Sequence, residues 1–312
     1  MQIQSKTVAK ALAVFAVGAL ALTGCTNASE TGTPGAGASS GGAASFDPST
    51  IQKDDALAAL VPAAIKAKGT LTVGADTSYE PAEFLATDGQ TPVGYDVDIA
   101  KAIGATLGLK VQVQTAEFTG ILPALGPKYD LGISSFTITK ERLAAVNMVS
   151  YFNAGTGWAV QKDNPKKFSL DDICGRSIGV QTGTVQEDPD LSTRSKKCVA
   201  DGKKAIDVVT LKNQTDVTTR LVNGSIDAMA ADSPIIGNAV AKTNGALEKF
   251  GEVYDAAPQG IAIAKSDTAL ADVIQKTLTK LMSDGSYKKI LEGWNNPEGA
   301  IDKAEVNPAA GS

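Results

Sequence analysis

Residues 130–142 read DLGISSFTITKER, and the reading of this stretch decides the fold. Its first part, DLGIS, is a short apolar run suited to a buried strand. SFTIT at 135–139 follows as a hydroxyl-rich turn. Thr139 stands where a helix N-cap belongs, with KERLAAV behind it. Arg142 therefore falls in the first helical turn, beside the C-terminal end of a strand, where open α/β sheets place ligands. A cation there opposes the helix dipole. An anion between Arg142 and the free N–H groups reverses that penalty. A guanidinium grips a carboxylate through two parallel hydrogen bonds, so a carboxylate ligand is the specific expectation. A solvated surface arginine is the competing reading, and the rest of the chain decides between them.

Upstream, TLTVG at 70–74 alternates as a strand, and Tyr79 lies in the loop at its C-terminal end, as a ligand contact or a loop anchor. In residues 92–108, PVGYDVDIAKAIGATLG, Ile99, Ile103 and Leu107 share one helix face and Gly108 ends the helix. Asp96 and Asp98 sit at its positive end, where dipole-matched capping is expected. Downstream, YFNAGTGWAV at 151–160 is small and Gly-rich apart from its aromatics. SIGVQ at 177–181 reads as a strand, and Thr184 with Glu187 fits a capping box. Free amides around 183–185 would make an anion site at a helix N-terminus. IDAMAAD at 226–232 is another apolar strand ending in Asp232, with Ser233 as N-cap and Pro234 as first helical residue.

The N-terminus reads as export machinery. Lys6 and Lys10 precede a twelve-residue apolar run at 11–22, a signal peptide too short to span a bilayer as a mature helix. Leu22-Thr23-Gly24-Cys25 resembles the bacterial lipobox, in which the cysteine becomes the lipidated first residue. Stable anchoring would need more than one acyl chain. Residues 26–50 are Ala, Gly, Ser and Thr with few large apolar groups and read as a flexible tether. Residues 51–68 are a weak helical lead-in, and the compact domain is expected to begin near Gly69. The tail from 304 to 312 is polar and expected to be loose.

Without residues 1–24 the chain carries 27 basic and 34 acidic residues, a net charge of −7. That balance, with no long basic run, argues against nucleic acid as a partner. The absence of histidine excludes His-based triads and His metal sites, and no CxxC pair suggests a metal or redox centre. No cofactor is expected. With Cys25 acylated, only Cys174 and Cys198 remain. In an exported chain they are expected to pair, stabilising by roughly 3 kcal/mol, with two free buried thiols as the alternative.

Gly94-Tyr-Asp-Val-Asp-Ile, followed by Ile103-Gly104 and Leu107, resembles the signature of family 3 of the bacterial extracellular solute-binding proteins, receptors of polar amino-acid ABC importers. The resemblance runs from about 69 to 301. It implies an α/β, two-lobed fold of the type II periplasmic-binding-protein kind, with two crossovers and a ligand cleft between the lobes. The implied layout is 51–156 as the first part of lobe 1, 157–256 as lobe 2 and 257–303 as the return to lobe 1. FTGILPAL at 118–125 resembles the family's segment with an aromatic before a helix, and SSFTITKER at 134–142 its carboxylate-binding stretch. By resemblance, Arg142 pairs with a ligand α-carboxylate, assisted by Thr137 in the same stretch and by the Gly183–Thr184 amides, and Phe136 counts among the ligand-binding residues. Asp232 and the Ser135 carbonyl take the α-ammonium, while Tyr79 and Phe118 pack the side chain. One departure is Ala82, where the family often has an aromatic, which would enlarge the side-chain end of the pocket. Asp76, Glu83 and Glu117 are candidates for meeting a basic side chain, or an amide or water. The implied partners are an amino acid, an ABC permease and ATPase, and the membrane through the lipid anchor, with the protein as a monomer on the outer face of the cell membrane. The rival from another class is an enzyme on the same fold, a cyclohexadienyl dehydratase acting on prephenate or arogenate, for which one of those three acids would be the general acid. A sensor ectodomain is a further rival.

Overall fold

The computed structural model describes residues 46–310. The signal peptide, Cys25 and most of the expected tether lie outside the described residues. The folded body starts earlier than Gly69. Helix α1 (Asp55–Leu60) is capped by Asp54, whose carboxylate accepts from the Ala56 and Leu57 amides. The Asp54 amide is itself bonded to the Thr106 carbonyl. Pro62 breaks the lead-in, because its ring cannot continue a helix from the preceding turn. Helix α2 (Ala63–Lys68) then buries Ile65 and stops at Gly69, which takes a left-handed conformation.

Strand β1 (Thr70–Ala75) leads into three short strands, β2 (Ser78–Tyr79), β3 (Glu83–Leu85) and β4 (Pro92–Val93), which form a small sheet of their own. Helix α3 (Tyr95–Leu107) buries the Ile99, Ile103 and Leu107 face expected from the sequence and ends on left-handed Gly108. Burial of such side chains stabilises by about 1.5–3 kcal/mol each. Its N-cap is Gly94, at φ +125°, where a Cβ would stand 2.1 Å from the Ala82 carbonyl oxygen. Only glycine permits this approach of helix and loop. Asp96 and Asp98 lie in the first turn, but neither makes a capping bond. Asp98 meets Lys101 and the Trp294 indole, and Asp96 turns inward to the 134–135 loop.

Strand β5 (Lys110–Thr115), helix α4 (Phe118–Ile121), strand β6 (Leu131–Gly132) and helix α5 (Lys140–Ala145) complete the first pass. The strand expected within 130–134 is only two residues long, yet it lies fully buried in mid-sheet. Strand β7 (Val146–Gln161) then runs out of the first lobe into the second. That lobe comprises β8 (Ser177–Gln181), α6 (Ser192–Ala200), β9 (Asp207–Leu211), α7 (Gln214–Val222), β10 (Ala228–Asp232) and α8 (Ser233–Lys242). Strand β11 (Leu247–Ala264) returns antiparallel to β7, and α9 (Thr268–Ser283) and α10 (Ser286–Gly293) close the first lobe.

The main sheet has eight strands in the order β5-β1-β6-β11-β7-β10-β8-β9. β5, β1 and β6 are mutually parallel in the first lobe, as are β10, β8 and β9 in the second. The two long antiparallel strands join them. This is the two-lobed α/β architecture expected from the sequence. Pairing of β7 with β11 shifts register between Phe250 and Ala257 and again at Gln259–Gly260. The Cys174–Cys198 disulfide forms, with Cα atoms 5.6 Å apart, and Cys198 packs in the second lobe's core with Trp158 and Leu191.

Two expectations are corrected. Asp232, not Ser233, is the N-cap of α8, and Ser233 opens the helix with Pro234 in its first turn. The tail is docked, not loose, as far as Asn307. Ala304 is fully buried, the Ser150 amide donates to the Glu305 carbonyl, and the Asn307 amide donates to the Met148 carbonyl. Asn307 also accepts from the Met148 amide through its side chain. These groups give the outer edge of β7 backbone partners that a loose tail would leave to water.

Candidate functional site

The C-terminal ends of β1, β6, β8 and β10 converge on the gap between the lobes, the position at which parallel strands leave their last amides and carbonyls unpaired. After β6 the chain turns through Ser135, at φ +50°. A non-glycine residue holds that shape only where its surroundings fix it. Here the Ser135 amide and hydroxyl both donate to Asp96 Oδ2, at 3.0 and 3.3 Å. The rest of the turn is stitched to β11, Ile138 N–H donating to the Pro258 carbonyl and Gly260 N–H to that of Phe136.

Thr139 caps α5 as expected, accepting from the Arg142 amide at 3.1 Å. The Arg142 guanidinium donates to the Thr137 carbonyl at 2.8 Å and, across the gap, to the Gly183 carbonyl at 3.0 Å. It lies over the rings of Phe118 and Phe136, 5.4 and 5.6 Å from their centroids, and those rings stack at 4.6 Å. Burial works against its charge, and Asp232 is the chief influence sustaining it.

On the second lobe, Asp232 is 6% exposed. Gln186 donates to its Oδ1 at 2.9 Å and Gln259 to its Oδ2 at 2.7 Å. Its own amide donates to the Tyr79 hydroxyl at 3.2 Å. Burial pushes the carboxyl up to about 6, against the pull of Gln186, Tyr79, Arg142 and Gln259. The expected capping box takes another form. The Thr184 hydroxyl donates to the Gln181 carbonyl, and Glu187 reaches back to the Gly183 amide at 2.5 Å. The Gly183 amide is therefore occupied and not free for an anion.

Tyr79, Phe118, Ser135, Thr137, Arg142, Thr184 and Asp232 line one small cavity, joined by Val185 and Gln186. Its volume is about 10 Å³, room for roughly one water, so a larger ligand enters only as the lobes part. Phe136 supports Phe118 from beneath and does not line it. Nor do the three acids suggested for a side-chain subsite. Asp76 is buried with both oxygens engaged, by Ser78 and by the Phe118 amide and Gln181, the last at 2.9 Å from the other lobe. Its burial raises the carboxyl, and the Ser78 and Phe118 bonds oppose the rise. Glu83 is fully buried in the first lobe, and Glu117 pairs with Lys212 at the surface. Further contacts cross the gap: Glu80 pairs with Lys242, and the Gln214 amide donates to Ser78 Oγ at 3.1 Å.

The sequence reading gave no role to Gln181 or Gln259, and it gave Gln186 no part in holding Asp232. Gln186 had a signal, since it completes the Gly-Thr-x-Gln run at 183–186. Gln259 had none, because its reach to Asp232 depends on how two distant strands cross.

The sequence profile of the bacterial extracellular solute-binding proteins, family 3, matches residues 71–297. The chain belongs to that family. Among curated relatives of this family 3 protein, an arginine-binding protein of Corynebacterium glutamicum is 33% identical over 250 residues, 80% of this chain and 82% of the relative. Among solved structures, an ancestral arginine-binding protein bound to arginine is 35% identical with a TM-score of 0.66, covering 72% of this chain and 98% of that one. An ancestral amino acid-binding protein described as a precursor of cyclohexadienyl dehydratase is 33% identical with a TM-score of 0.65, covering 74% of this chain and 97% of that one.

Proposed function

We propose that this family 3 protein captures an L-amino acid outside the cell membrane and delivers it to an ABC permease and its ATPase, tethered by lipid on Cys25. The observation that carries the reading is the pairing of Arg142 and Asp232, opposite charges on opposite lobes facing one cavity between Tyr79 and Phe118. A zwitterion satisfies both at once. Its carboxylate replaces the Gly183 carbonyl as partner of Arg142, with Thr137 and the amides near Thr184 assisting. Its ammonium meets Asp232 and the Ser135 carbonyl. Ligand then closes the cleft because the closed state has contacts that the open state lacks.

The side chain we assign is basic, with arginine as the first candidate. Asp76 stands beside the Phe118 amide with Gln181 as its partner across the gap, and a guanidinium can take the donor position that Gln181 holds. The names of the relatives above support the same choice. The dehydratase reading needs a general acid at the ligand; Glu83 and Glu117 do not line the cavity, and both oxygens of Asp76 accept hydrogen bonds, as a partner for a cation does and a proton donor does not.

The test is a thermal-shift and calorimetric screen of residues 26–312 against the common amino acids, with prephenate and arogenate included. A ligand at a thousandfold its Kd stabilises by about 4 kcal/mol, which raises the midpoint by roughly ten degrees. The expected result is such a shift for arginine, lost in Arg142→Ala. A flat response to every amino acid, or turnover of prephenate, overturns the reading.

A further inference from the structure

Behind the cavity wall lies a buried acidic cluster that the ligand grip does not use. Glu83 from β3 is 0% exposed and Asp96 from α3 is 1% exposed. Glu83 Oε1 accepts from the Ser134 hydroxyl at 2.7 Å, and that hydroxyl in turn accepts from the Asp76 amide at 2.9 Å. Asp96 Oδ2 holds the Ser135 amide and hydroxyl. Glu83 Oε2, Asp96 Oδ1 and the Tyr151 hydroxyl are left buried without a satisfied partner. The two carboxyls are close enough to influence each other's charge, and Tyr151 from β7 acts on Asp96 from the same pocket. The other titratable groups around them are Asp76, Tyr79, Tyr95 and Asp232. Neither carboxyl has a lysine or arginine in ion-pair contact among the described residues.

Two neighbouring buried carboxylates, each with an orphaned oxygen and without a cation, repel each other, and such pairs hold one proton between them. A proton between Glu83 Oε2 and Asp96 Oδ1 satisfies both orphaned oxygens and leaves Oε1 and Oδ2 free to accept from Ser134 and Ser135. We propose that Glu83 and Asp96 share one proton and together act as positioning residues, holding Ser134–Ser135 in the left-handed turn that forms one wall of the ligand cavity. Burial, first, and then the opposing carboxylate raise Glu83 well above the usual carboxylate range, and burial raises Asp96 to about 6, in keeping with one retained proton at neutral pH. Loss of that proton in alkali sets two charges against each other beneath Ser135 and deforms the turn.

The inference rests on the reading of this cavity as the ligand site, but its first two readouts need no ligand. Infrared difference spectra of the free protein at pH 7 should show a protonated-carboxyl band that Glu83→Gln removes. The Ser135 amide resonance should titrate at alkaline pH in wild type and stay fixed in Glu83→Gln, whose amide accepts from Ser134 and donates to Asp96. With arginine as probe, Glu83→Ala should weaken binding more than tenfold, and Glu83→Gln should restore it while flattening the alkaline side of the wild-type pH profile. Where Glu83→Ala does not fold, Asp96→Asn serves as a second neutral variant, expected to remove the infrared band and the alkaline titration of Ser135 as Glu83→Gln does. Absence of the infrared band, or superimposable titrations of wild type and Glu83→Gln, overturns the proposal. Failure of arginine to bind wild type overturns the ligand reading alone.

Discussion

Asp232 is buried where the lobes meet, and two glutamine amides keep its carboxylate ionisable near neutrality. Because its folded pKa of about 6 stands above the usual value, its stabilising share is full below the ordinary carboxylate pKa. That share is lost as pH rises through 6. Asp232→Asn is therefore expected to raise the melting midpoint of the ligand-free protein at pH 8 in calorimetry, while abolishing arginine binding. A lower midpoint there contradicts this assignment. An ammonium ligand selects the ionised form, so affinity for arginine should fall below pH 6 by up to about tenfold per unit, and isothermal titration across pH 4.5–8 checks it. Arg142→Ala should cost roughly 2–5 kcal/mol of binding, since it leaves a carboxylate unpaired in a closed cleft. At this scale the sequence was legible where one residue's neighbours are local. Arg142 follows from Thr139 and the strand before it. Of the glutamines that hold Asp232, Gln186 opens a helical turn and completes the Gly-Thr-x-Gln run, whereas Gln259 comes from a crossing strand that no local pattern announces.

Helix α3 shows how an element can be read correctly and its polar residues misread. Its apolar face and its glycine stop follow from spacing, whereas Asp96 serves a loop 39 residues away, a contact set by tertiary packing. The same limit hid the C-terminal strap. Residues 303–307 look polar in sequence, yet alternate residues dock, with Ala304 buried and Val306 bridged to Val149. A chain ending at Asp302 should lose about 2–4 kcal/mol of stability, from several backbone and side-chain bonds near 1 kcal/mol each and one buried methyl, measured as the urea midpoint. The disulfide lies wholly within the second lobe, away from the cavity. Cys174→Ser with Cys198→Ser should lower stability by about 3 kcal/mol and leave arginine affinity unchanged at 25 °C. A large loss of affinity would mean that the bridge shapes the site.

For the whole molecule, the ion pairs Glu80–Lys242 and Glu117–Lys212 fasten the lobes together around a cavity too small to admit an amino acid. Exposed pairs of this kind contribute about 0–1 kcal/mol each. Lys212→Ala with Lys242→Ala should therefore shift the ligand-free population toward the open form by roughly fivefold, seen as a larger radius of gyration in X-ray scattering and a faster association rate for arginine. Salt should mimic the effect. That there are two lobes was legible only through the family resemblance of stretches such as 94–107 and 134–142. How tightly they close was not, because the closing contacts join residues up to 162 positions apart. The return of β11 beside β7 also has a mechanical meaning. Both described ends of the chain, near 46 and 310, belong to the first lobe, so tension applied between them bypasses the second. A stretching force loads the lead-in helices near 48–60 and the strap at 303–307 first, and the second lobe swings unloaded while its neighbour bears the pull.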